Sequence, residues 1–371
     1  MKKLLVFHPA LAPYKVDFFN ALSERFDLTV VFQARNLSSQ QFDQDKMASQ
    51  IRFKACYLPH TVIRGGRKYS RGYARILREI RPDIVVGSEF GPNLVIPFVL
   101  RPFFRRKYRI WTITDDSVDT IGRGSRLRPL LRGFFTPRLD GMAFSNPSVR
   151  DWYLANYSLR STALAPVIGS EEVLREKVRS CLPLAPELVR RYGLDGHPVV
   201  LFVGRLDPVK NLPLLLEAFA RVRAEARLVL VGSGEERESL ERQAEGLGLQ
   251  DRVVFAGRWE SPELYQWYQI GDVKVLPSRS ETFGAVVGEA LQTGCPVVCS
   301  DAAGAACLIR PGVNGEIVDH TSAESIAGAI ETILDRADAG RDLSVIRPSL
   351  MEYTFSQYID SLTDAIQESL R

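Results

Sequence analysis

Two basic side chains follow a short apolar run in the middle of the sequence, and their placement suits a diphosphate. Val199–Val203 reads as a buried strand that ends at Gly204, and Arg205 and Lys210 lie in the loop before the next helical pattern. In an open parallel sheet, ligands bind where strand ends meet helix N-termini. Two cations beside unpaired backbone N–H groups suit a diphosphate there. The plain structural alternative is a connecting loop whose cations are solvated.

A second loop carries two glutamates separated by seven residues. Glu281 follows the predicted strand Val273–Leu276 and precedes a helix that is predicted to begin near Phe283. Gly284 allows a backbone to approach a ligand closely, and Glu289 falls in the second turn of the helix. A carboxylate binds a ribose diol or sugar hydroxyls well, because each hydroxyl supplies a hydrogen-bond donor. Alternatively, Glu281 complements the helix dipole and Glu289 is a solvated surface residue.

Strand and helix patterns alternate along all 371 residues, a length that suits two domains. Short, nearly continuous apolar strands that are joined through helices predict parallel sheets covered on both faces. A more polar stretch at 166–186 interrupts the alternation, which restarts at Val199. We therefore predict an α/β protein with two Rossmann-like, doubly wound parallel-sheet domains, at residues 1–168 and 169–354.

Charge is distributed unevenly between the two halves. Residues 1–170 contain 27 Lys and Arg against 13 Asp and Glu, and residues 171–371 contain 21 against 31. The first half is therefore predicted to meet an anionic partner. Basic and aromatic residues interleave at 64–69, 103–108 and 123–135, as they do on surfaces that bind nucleic acid or anionic bilayers. A generally basic, solvated face is the third interpretation.

Several classes of site are disfavoured by the sequence. We expect no secretory signal and no membrane span, because no apolar stretch approaches the ~20 residues that cross a bilayer. The five cysteines form no CxxC pair and are predicted to be buried free thiols, as in a reducing cytoplasm. Asp43 and Asp45 have the spacing of a metal-binding DxD motif but lie in a polar segment far from the two loops, so no metal requirement is expected.

Together, these motifs resemble glycosyltransferase family four, whose members are retaining enzymes with the GT-B fold. The matching segments occur in this order: Gly204-Arg205-Leu206 with Lys210-Asn211, 231–235, 254–257, Glu281 with Glu289, 294–298 and 311–315. The resemblance covers nearly all of residues 198–320. It implies an acceptor-binding first domain, a donor-binding second domain and an active site in the cleft between them. It also implies that the C-terminal helix within 355–371 packs back on the first domain.

The resemblance implies roles for the two loops. Arg205 and Lys210 would hold the donor diphosphate and stabilise the negative charge that grows on it. Glu281 would bind the hydroxyls of the transferred sugar, so these three residues are the predicted catalytic groups. The leaving diphosphate itself would help to remove the proton from the acceptor hydroxyl.

Five further residues would bind the nucleotide-sugar. Glu289 would bind the ribose, and Arg258 would lie beside the base. The backbone at Phe283 and Gly284 would contact phosphate and sugar, with Gly204 at the end of its strand. No cofactor and no metal are expected, because the nucleotide-sugar is itself a substrate.

Acceptor-side residues are predicted in the first half, which resembles the family less. His8 ends the first predicted strand, where it either faces the cleft or is structural. Asp115 and Asp116 follow the strand predicted at 109–113, where many members have a histidine. The two carboxylates either orient an acceptor or donor-sugar hydroxyl or cap the next segment.

The predicted activity is transfer of a hexose-type sugar from a UDP- or GDP-sugar to a hydroxyl of a glycan or lipid-linked acceptor, with retention of configuration (EC 2.4). The expected setting is bacterial-type polysaccharide or glycoconjugate biosynthesis. Given this activity, the basic face is predicted to dock on the anionic inner face of the cytoplasmic membrane rather than on nucleic acid. One alternative is a GT-B-fold sugar-nucleotide epimerase, against which the spacing of Glu281 and Glu289 argues. Another is a non-catalytic protein that binds anionic surfaces.

Overall fold

The computed structural model describes residues 1–36, 44–59, 62–64, 67–69, 71–105, 107–117, 121, 127–222, 225–336 and 342–371. The chain forms two compact units. Unit 1 consists of residues 1–169 and 355–371, and unit 2 consists of residues 170–354. The division falls between Gly169 and Ser170, one residue after the predicted position.

Seven parallel strands form the sheet of unit 1: β1 Lys3–His8, β2 Asp27–Phe32, β3 Lys54–Tyr57, β6 Ile84–Ser88, β7 Arg109–Thr114, β8 Gly141–Phe144 and β9 Thr162–Leu164. Their order across the sheet is β3-β2-β1-β6-β7-β8-β9. A separate antiparallel ribbon pairs β4 (Val62–Arg64) with β5 (Arg67–Tyr69). The apolar residues 4–7 of β1 are all buried, as expected of a parallel sheet that is covered on both faces.

The helices of unit 1 that precede the division are α1 Pro13–Arg25, α2 Gln44–Ala48, α3 Tyr73–Ile80, α4 Pro92–Leu100, α5 Leu127–Phe135 and α6 Pro147–Asn156. Helices α1, α4 and α6 have a proline in the first turn, where its fixed φ fits and its missing N–H costs nothing. Gly141 in β8 permits close packing, because a Cβ there would lie 2.4 Å from the indole ring of Trp111.

Six parallel strands form the sheet of unit 2: β10 Val199–Val203, β11 Arg227–Val231, β12 Val253–Gly257, β13 Val273–Leu276, β14 Val297–Ser300 and β15 Gly315–Val318. Their order is β12-β11-β10-β13-β14-β15. The helices are α7 Glu171–Cys181, α8 Ala185–Arg191, α9 Leu212–Phe219, α10 Arg237–Gly246, α11 Gln266–Ile270, α12 Ala285–Gln292 and α13 Ala323–Leu334.

The main core of unit 2 lies between one face of its sheet and helices α9, α10 and α13. Val200 and Phe202 of β10 pack there with Leu215 of α9 and Ile326 of α13, and all four are completely buried. Alternate residues of a strand point to opposite faces, and the other residues of β10 are buried too. The sheet is therefore covered on both faces.

Helix α14 (Phe355–Glu368) belongs to unit 1 although it ends the chain. It packs on α1 and β9, and it buries Ile359 and Leu362. Arg25 of α1 donates to the carboxylate of Asp360 at 2.7 Å. This helix thus completes the unit that the first strand begins.

Each sheet reverses its strand order once, between β1 and β6 in unit 1 and between β10 and β13 in unit 2. In doubly wound sheets, the carboxyl ends of the strands that flank such a reversal leave a crevice in which ligands bind. The prediction of two doubly wound parallel-sheet domains is confirmed. The fold accordingly offers one candidate ligand site in each unit.

Local backbone conformation corrects one predicted boundary. The helix predicted to begin near Phe283 begins at Ala285, because Gly284 has a left-handed φ of 98° that an α-helix cannot include. Helix α3 likewise begins at Tyr73, directly after Gly72 with a left-handed φ of 101°.

Three of the five cysteines, Cys181, Cys295 and Cys299, are buried free thiols, as predicted. The prediction is wrong for Cys307, which is exposed, and for Cys56, which is partly exposed on the edge strand β3. Burial raises the pKa of Cys299 to about 12, so this thiol stays protonated at neutral pH.

Candidate functional site

The two predicted loops of unit 2 lie at the ends of β10 and β13, the strands on either side of the reversal. Residues 204–211 follow β10, and residues 277–284 follow β13. The loops contact each other directly, because the backbone N–H of Arg279 donates to the carbonyl oxygen of Val209 at 2.9 Å. The sheet therefore brings together the two segments that the sequence singled out.

A buried asparagine holds the loops together. Asn211 Nδ2 donates to the carbonyl oxygens of Pro277 at 3.2 Å and of His320 at 2.8 Å. Asn211 Oδ1 accepts from Arg279 Nε at 2.8 Å. The residue has a left-handed φ of 59°, which asparagine tolerates better than most residues do. The matched motif contains Asn211, but its role was missed because its partners lie up to 109 residues away.

Lys210 and Glu281, which the sequence predicts to act on the same substrate, form an ion pair. Lys210 Nζ donates to Glu281 Oε2, and the two side chains are only 15% and 19% exposed. The backbone of Glu281 is fixed as well, since its N–H donates to Ala302 O at 3.2 Å and its carbonyl accepts from Gly304 at 3.0 Å. Partial burial strengthens the attraction, so each head group holds the other in place.

The two predicted arginines are far more exposed. Arg205 is 71% exposed and lies 2.9 Å from the carboxylate of Asp207. Arg258 is 69% exposed and pairs with Glu260 at 3.0 Å. Arg258 follows the edge strand β12, two strands away from β10, so the structure does not bring it together with Lys210 and Glu281. The Arg258–Glu260 pair is exposed on both sides and contributes only about 0–1 kcal/mol, whereas the Asp207 partner of Arg205 is only 13% exposed.

The backbone at Phe283 and Gly284 leads into the N-terminus of α12. The side chain of Phe283 is buried, so only its backbone is available to a ligand. A Cβ at Gly284 would lie 2.8 Å from Leu276 Cδ2. Glycine therefore permits both the left-handed turn and the close packing that set the start of α12, where unpaired N–H groups favour an anion.

Glu289 lies in α12, where a buried tyrosine from α11 contacts it. The hydroxyl of Tyr268 donates to Glu289 Oε2 at 2.7 Å. Burial raises the pKa of Glu289, and the Tyr268 hydrogen bond and the charge of Lys274 oppose that shift. Within the described part of the chain, Glu289 Oε1 has no hydrogen-bond partner and can accept from a hydroxyl. Tyr268 was not among the predicted site residues, because the apolar residues near it in the sequence indicate only a core position.

In unit 1, the crevice at the ends of β1 and β6 contains a cavity of about 330 Å³, lined by His8, Lys15 and Asp115 among others. His8 Nδ1 lies 2.8 Å from the carbonyl oxygen of Ala10, to which it donates. Burial, aided by the charge of Lys15, lowers the pKa of His8 to about 4. The ring is therefore neutral at pH 7, with Nε2 as an acceptor. Lys15 Nζ lies 3.3 Å from the carboxylate of Asp115.

The structure separates the two aspartates predicted on the acceptor side. Asp115 lines the cavity, whereas Asp116 is buried and pairs with Arg132 at 3.1 Å and Arg128 at 3.3 Å, both in α5. Asp116 therefore anchors α5. Glu89, which the sequence did not single out, also lines the cavity. It pairs with Arg128 at 3.0 Å and has a left-handed φ of 52°.

A lysine is buried in the central strand β13 with no acidic partner among the described residues. Lys274 is completely buried, and its Nζ donates to Val275 O at 3.4 Å and lies 5.6 Å from the ring centroid of Phe202. Burial lowers the pKa of Lys274 to about 8, and the charge of Lys210 adds to this effect. Lys274 thus places positive charge near the paired loops at a cost in stability.

One cluster of metal-type ligands occurs in the described ranges, formed by Asp301, Asp319 and His320. His320 Nδ1 lies 2.7 Å from Asp301 Oδ1, so these two groups already satisfy each other. The cluster contains none of the predicted site residues.

The two doubly wound units, each with polar loops at its strand reversal, define a protein of the GT-B fold. The chain is similar to Anabaena HepE in complex with UDP, with a TM-score of 0.76 and 17% identity over 99% of this chain and 100% of that chain. It is also similar to sucrose-phosphate synthase from Thermosynechococcus elongatus, with a TM-score of 0.71 and 17% identity over 99% of each chain. At this identity the likeness shows the fold, and the GT-B prediction is confirmed.

Residues 186–344 match the family described as glycosyl transferases group 1. This segment lies within unit 2 and contains every residue predicted on the donor side. Unit 2 therefore belongs to the glycosyl transferases group 1 family, and the resemblance found in the sequence is confirmed.

Named relatives share part of the chain. Alpha-D-kanosaminyltransferase from Streptomyces kanamyceticus is 36% identical over 152 residues, which are 40% of this chain and 39% of the relative. D-inositol 3-phosphate glycosyltransferase from Mycobacterium marinum is 31% identical over 202 residues, 53% of this chain and 41% of the relative. The matched part of the chain spans about two fifths of the length of these relatives.

Replacement of the buried lysine by methionine is expected to change how stability depends on pH. The pKa of Lys274 is about 8 in the folded chain, against an ordinary 10.5. Between these values the unfolded chain binds the proton more strongly, so the free energy of unfolding of the wild type rises with pH, by up to about 3 kcal/mol. Lys274→Met should lack this rise and should be more stable than the wild type at pH 7.

Denaturant titrations of both proteins from pH 7 to above pH 10 measure the difference. Lys177→Met is the control, because Lys177 is only half-buried, against the ring of Tyr265. It should retain the pH dependence of the wild type. Parallel stability curves for the wild type and Lys274→Met would contradict the assignment of a buried ammonium.

Proposed function

We propose that this protein is a retaining glycosyltransferase that moves a sugar from a nucleotide diphosphate donor to a hydroxyl group. The observation that carries the proposal is the Lys210–Glu281 pair, which Asn211 holds at the strand reversal of a glycosyl transferases group 1 unit. An ammonium and a carboxylate fixed side by side match the two parts of a sugar diphosphate. The ammonium suits the phosphate, and the carboxylate suits the sugar hydroxyls.

The donor diphosphate lies, in this proposal, along the ends of β10 and β13. Lys210 and the N-terminus of α12 bind it, and Arg205 turns from Asp207 towards it. As the bond between sugar and diphosphate breaks, negative charge grows on the leaving oxygen, and the two cations stabilise that charge. They supply the positive charge that a metal ion would otherwise provide. Glu281 accepts hydrogen bonds from the sugar hydroxyls and orients the ring.

The acceptor oxygen bonds to the anomeric carbon on the face from which the diphosphate departs, and the leaving diphosphate takes up the proton of that hydroxyl. Bond formation on the same face accounts for retention. Glu289 Oε1 accepts from the ribose hydroxyls while Tyr268 holds Oε2. Arg258, at the edge of the sheet, lies beside the base. UDP in the HepE complex supports a UDP-sugar, and a GDP-sugar would use the same contacts.

The acceptor is proposed to bind in unit 1, through the neutral ring of His8 and the carboxylate of Asp115. Asp116 acts indirectly, by anchoring α5 through Arg128 and Arg132. The acceptor is a glycan or a lipid-linked glycan, and the setting is polysaccharide or glycoconjugate biosynthesis.

Removal of either donor-side cation tests the activity. Lys210→Ala and Arg205→Ala should each raise the barrier to transfer by about 2–4 kcal/mol, the effect of losing one preorganised charge donor. The measurement is kcat/KM with UDP-glucose and GDP-mannose as donors. Arg221→Ala removes an exposed arginine that pairs with Glu324 in the same unit, and it should change nothing. Near wild-type turnover in Lys210→Ala would refute the diphosphate assignment.

The two glutamates are expected to affect different kinetic constants. Glu289→Gln should mainly raise the KM for the donor, because the ribose does not react and its binding is equal in the ground and transition states. Glu281→Gln should mainly lower kcat, because the sugar changes geometry in the transition state. Steady-state kinetics with saturating acceptor separates the two effects. The division of roles fails if both variants show the same kinetic pattern.

We also propose that unit 1 docks on the anionic inner face of the cytoplasmic membrane. With α14 included, unit 1 has 28 Lys and Arg against 16 Asp and Glu. Val99 and Phe103 at the end of α4, and Leu130 and Phe134 in α5, are 52–82% exposed. The two helices meet through Phe98, whose ring centroid lies 6.4 Å from that of Phe134. These four exposed side chains form the α4–α5 patch.

Basic residues accompany the patch. Arg105, Lys107 and Arg138 are exposed, and the Arg138 guanidinium lies 4.3 Å from the ring centroid of Phe134. Basic residues near an anionic surface contribute about 1 kcal/mol each, and the apolar side chains can enter the interface. None of the described helices is long and apolar enough to cross a bilayer.

The structure reduces the number of basic and aromatic residues that could contact a membrane. Phe135 and Arg132 belong to the basic and aromatic groups that the sequence predicts for the basic face, but both are buried. Phe104 packs against the core of unit 1. Arg132 and Phe135 hold α5 in place through Asp116 and Phe98, and Phe104 contacts Tyr108. The side chains of 64–69, Arg106, Arg123 and Arg126 lie outside the described residues.

Liposome flotation tests the docking surface. The protein should float with anionic vesicles at low salt and be lost at 1 M salt, because the Debye length falls from ~8 Å at physiological salt to ~3 Å. Reversal of Arg105, Arg106 and Lys107 to Glu should abolish flotation and preserve donor hydrolysis. The control reverses Arg25, Arg52 and Lys54, which pair with acids on the surface, and it has the same charge change. Equal loss in both variants, or no flotation of the wild type, would contradict docking through the α4–α5 patch.

A further inference from the structure

Two buried amide side chains line the unit 1 cavity and are linked by a tyrosine. Gln33 and Asn93 are 9% and 4% exposed. Gln33 Nε2 donates to the Tyr73 hydroxyl at 3.2 Å, and that hydroxyl donates to Asn93 Oδ1 at 2.9 Å. In the described part of the chain, Gln33 Oε1 and Asn93 Nδ2 have no partner. The network therefore leaves one acceptor and one donor at the cavity.

This result does not depend on how the amides are oriented. A tyrosine hydroxyl that links two amides donates to one and accepts from the other. Reversal of both amides would exchange the leftover groups, and one donor and one acceptor would still remain. The two free groups can therefore bond to a ligand in the cavity that both donates and accepts. A hydroxyl does both.

The charges of the cavity argue against an anionic ligand. The charged side chains among its described lining residues are Lys15, Glu89 and Asp115. Lys15 is already paired with Asp115. His8 is neutral and offers Nε2 as an acceptor. A phosphate needs cations or several N–H donors, and this lining has no unpaired cation.

We propose that the unit 1 cavity binds a neutral, polyhydroxylated ring, a sugar or cyclitol without phosphate, whose hydroxyls are recognised by Gln33 and Asn93. The volume of about 330 Å³ suits a small molecule, for which pockets of ~300–1,000 Å³ are usual. The rings of Phe18 and Phe19 supply apolar walls for the C–H faces of such a ring. The identification of this ring as the acceptor rests on the proposed transfer reaction, whereas its binding does not.

Saturation-transfer NMR on the full chain tests the binding without any donor. The probes are the methyl glycosides of glucose, galactose and mannose, and myo-inositol, each with its monophosphate. At least one neutral probe should bind and its monophosphate should not. Gln33→Met and Asn93→Leu should each weaken that binding by roughly 3- to 10-fold, the loss of one hydrogen bond. Asn156→Leu is the matched control, because Asn156 is an exposed amide of the same unit.

UDP binding and thermal melting are measured in parallel on each variant. Unchanged melting and UDP binding show that a variant is folded and that the donor site is intact. The proposal is overturned if no neutral probe binds, if a monophosphate binds more tightly than its parent, or if folded Gln33→Met and Asn93→Leu bind like the wild type. Failure of the wild type to bind UDP or GDP would instead count against the donor site and the transfer reaction, and it would leave the result for the cavity standing.

Discussion

The paired loops of unit 2 are joined through the side chain of Asn211. Its amide connects the loop after β10 to the loop after β13 and to the segment at His320, so three strand ends are fixed relative to one another. Lys210 is the preceding residue, and it pairs with Glu281 across these two loops. The Asn211 amide and the backbone hydrogen bond from Arg279 to Val209 together keep the ammonium close to the carboxylate.

Each unit has a site whose chemistry differs from the charge of the unit as a whole. Unit 1 is strongly basic, yet the lysine in its cavity, Lys15, is paired with Asp115. Unit 2 is acidic, yet its paired loops hold Lys210 above the buried Lys274. Net charge acts at long range on surfaces, whereas recognition depends on a few groups at strand ends. The basic surface and the cavity of unit 1 therefore differ in the chemistry that they offer.

Some of the buried polar groups lie near the two strand reversals. In unit 2 these are Tyr268 behind Glu289 and the unpaired Lys274, and in unit 1 they are Gln33 and Asn93 on either side of a tyrosine. Such groups lower stability unless they are satisfied, so their position is informative. The strands beside them are apolar and buried.

The sequence by itself determined the two doubly wound sheets, because short apolar strands between amphipathic helices have few other solutions. It also located Lys210 and Glu281, whose loops follow recognisable strands. Only the tertiary structure decided that Asp115 lines a cavity while Asp116 anchors a helix, since adjacent side chains point in different directions. The tertiary structure also decided the partners of Asn211, the contact of Tyr268 with Glu289 and the Gln33–Asn93 network. These contacts join residues up to 109 positions apart, and strand order, which no local pattern encodes, brings them together.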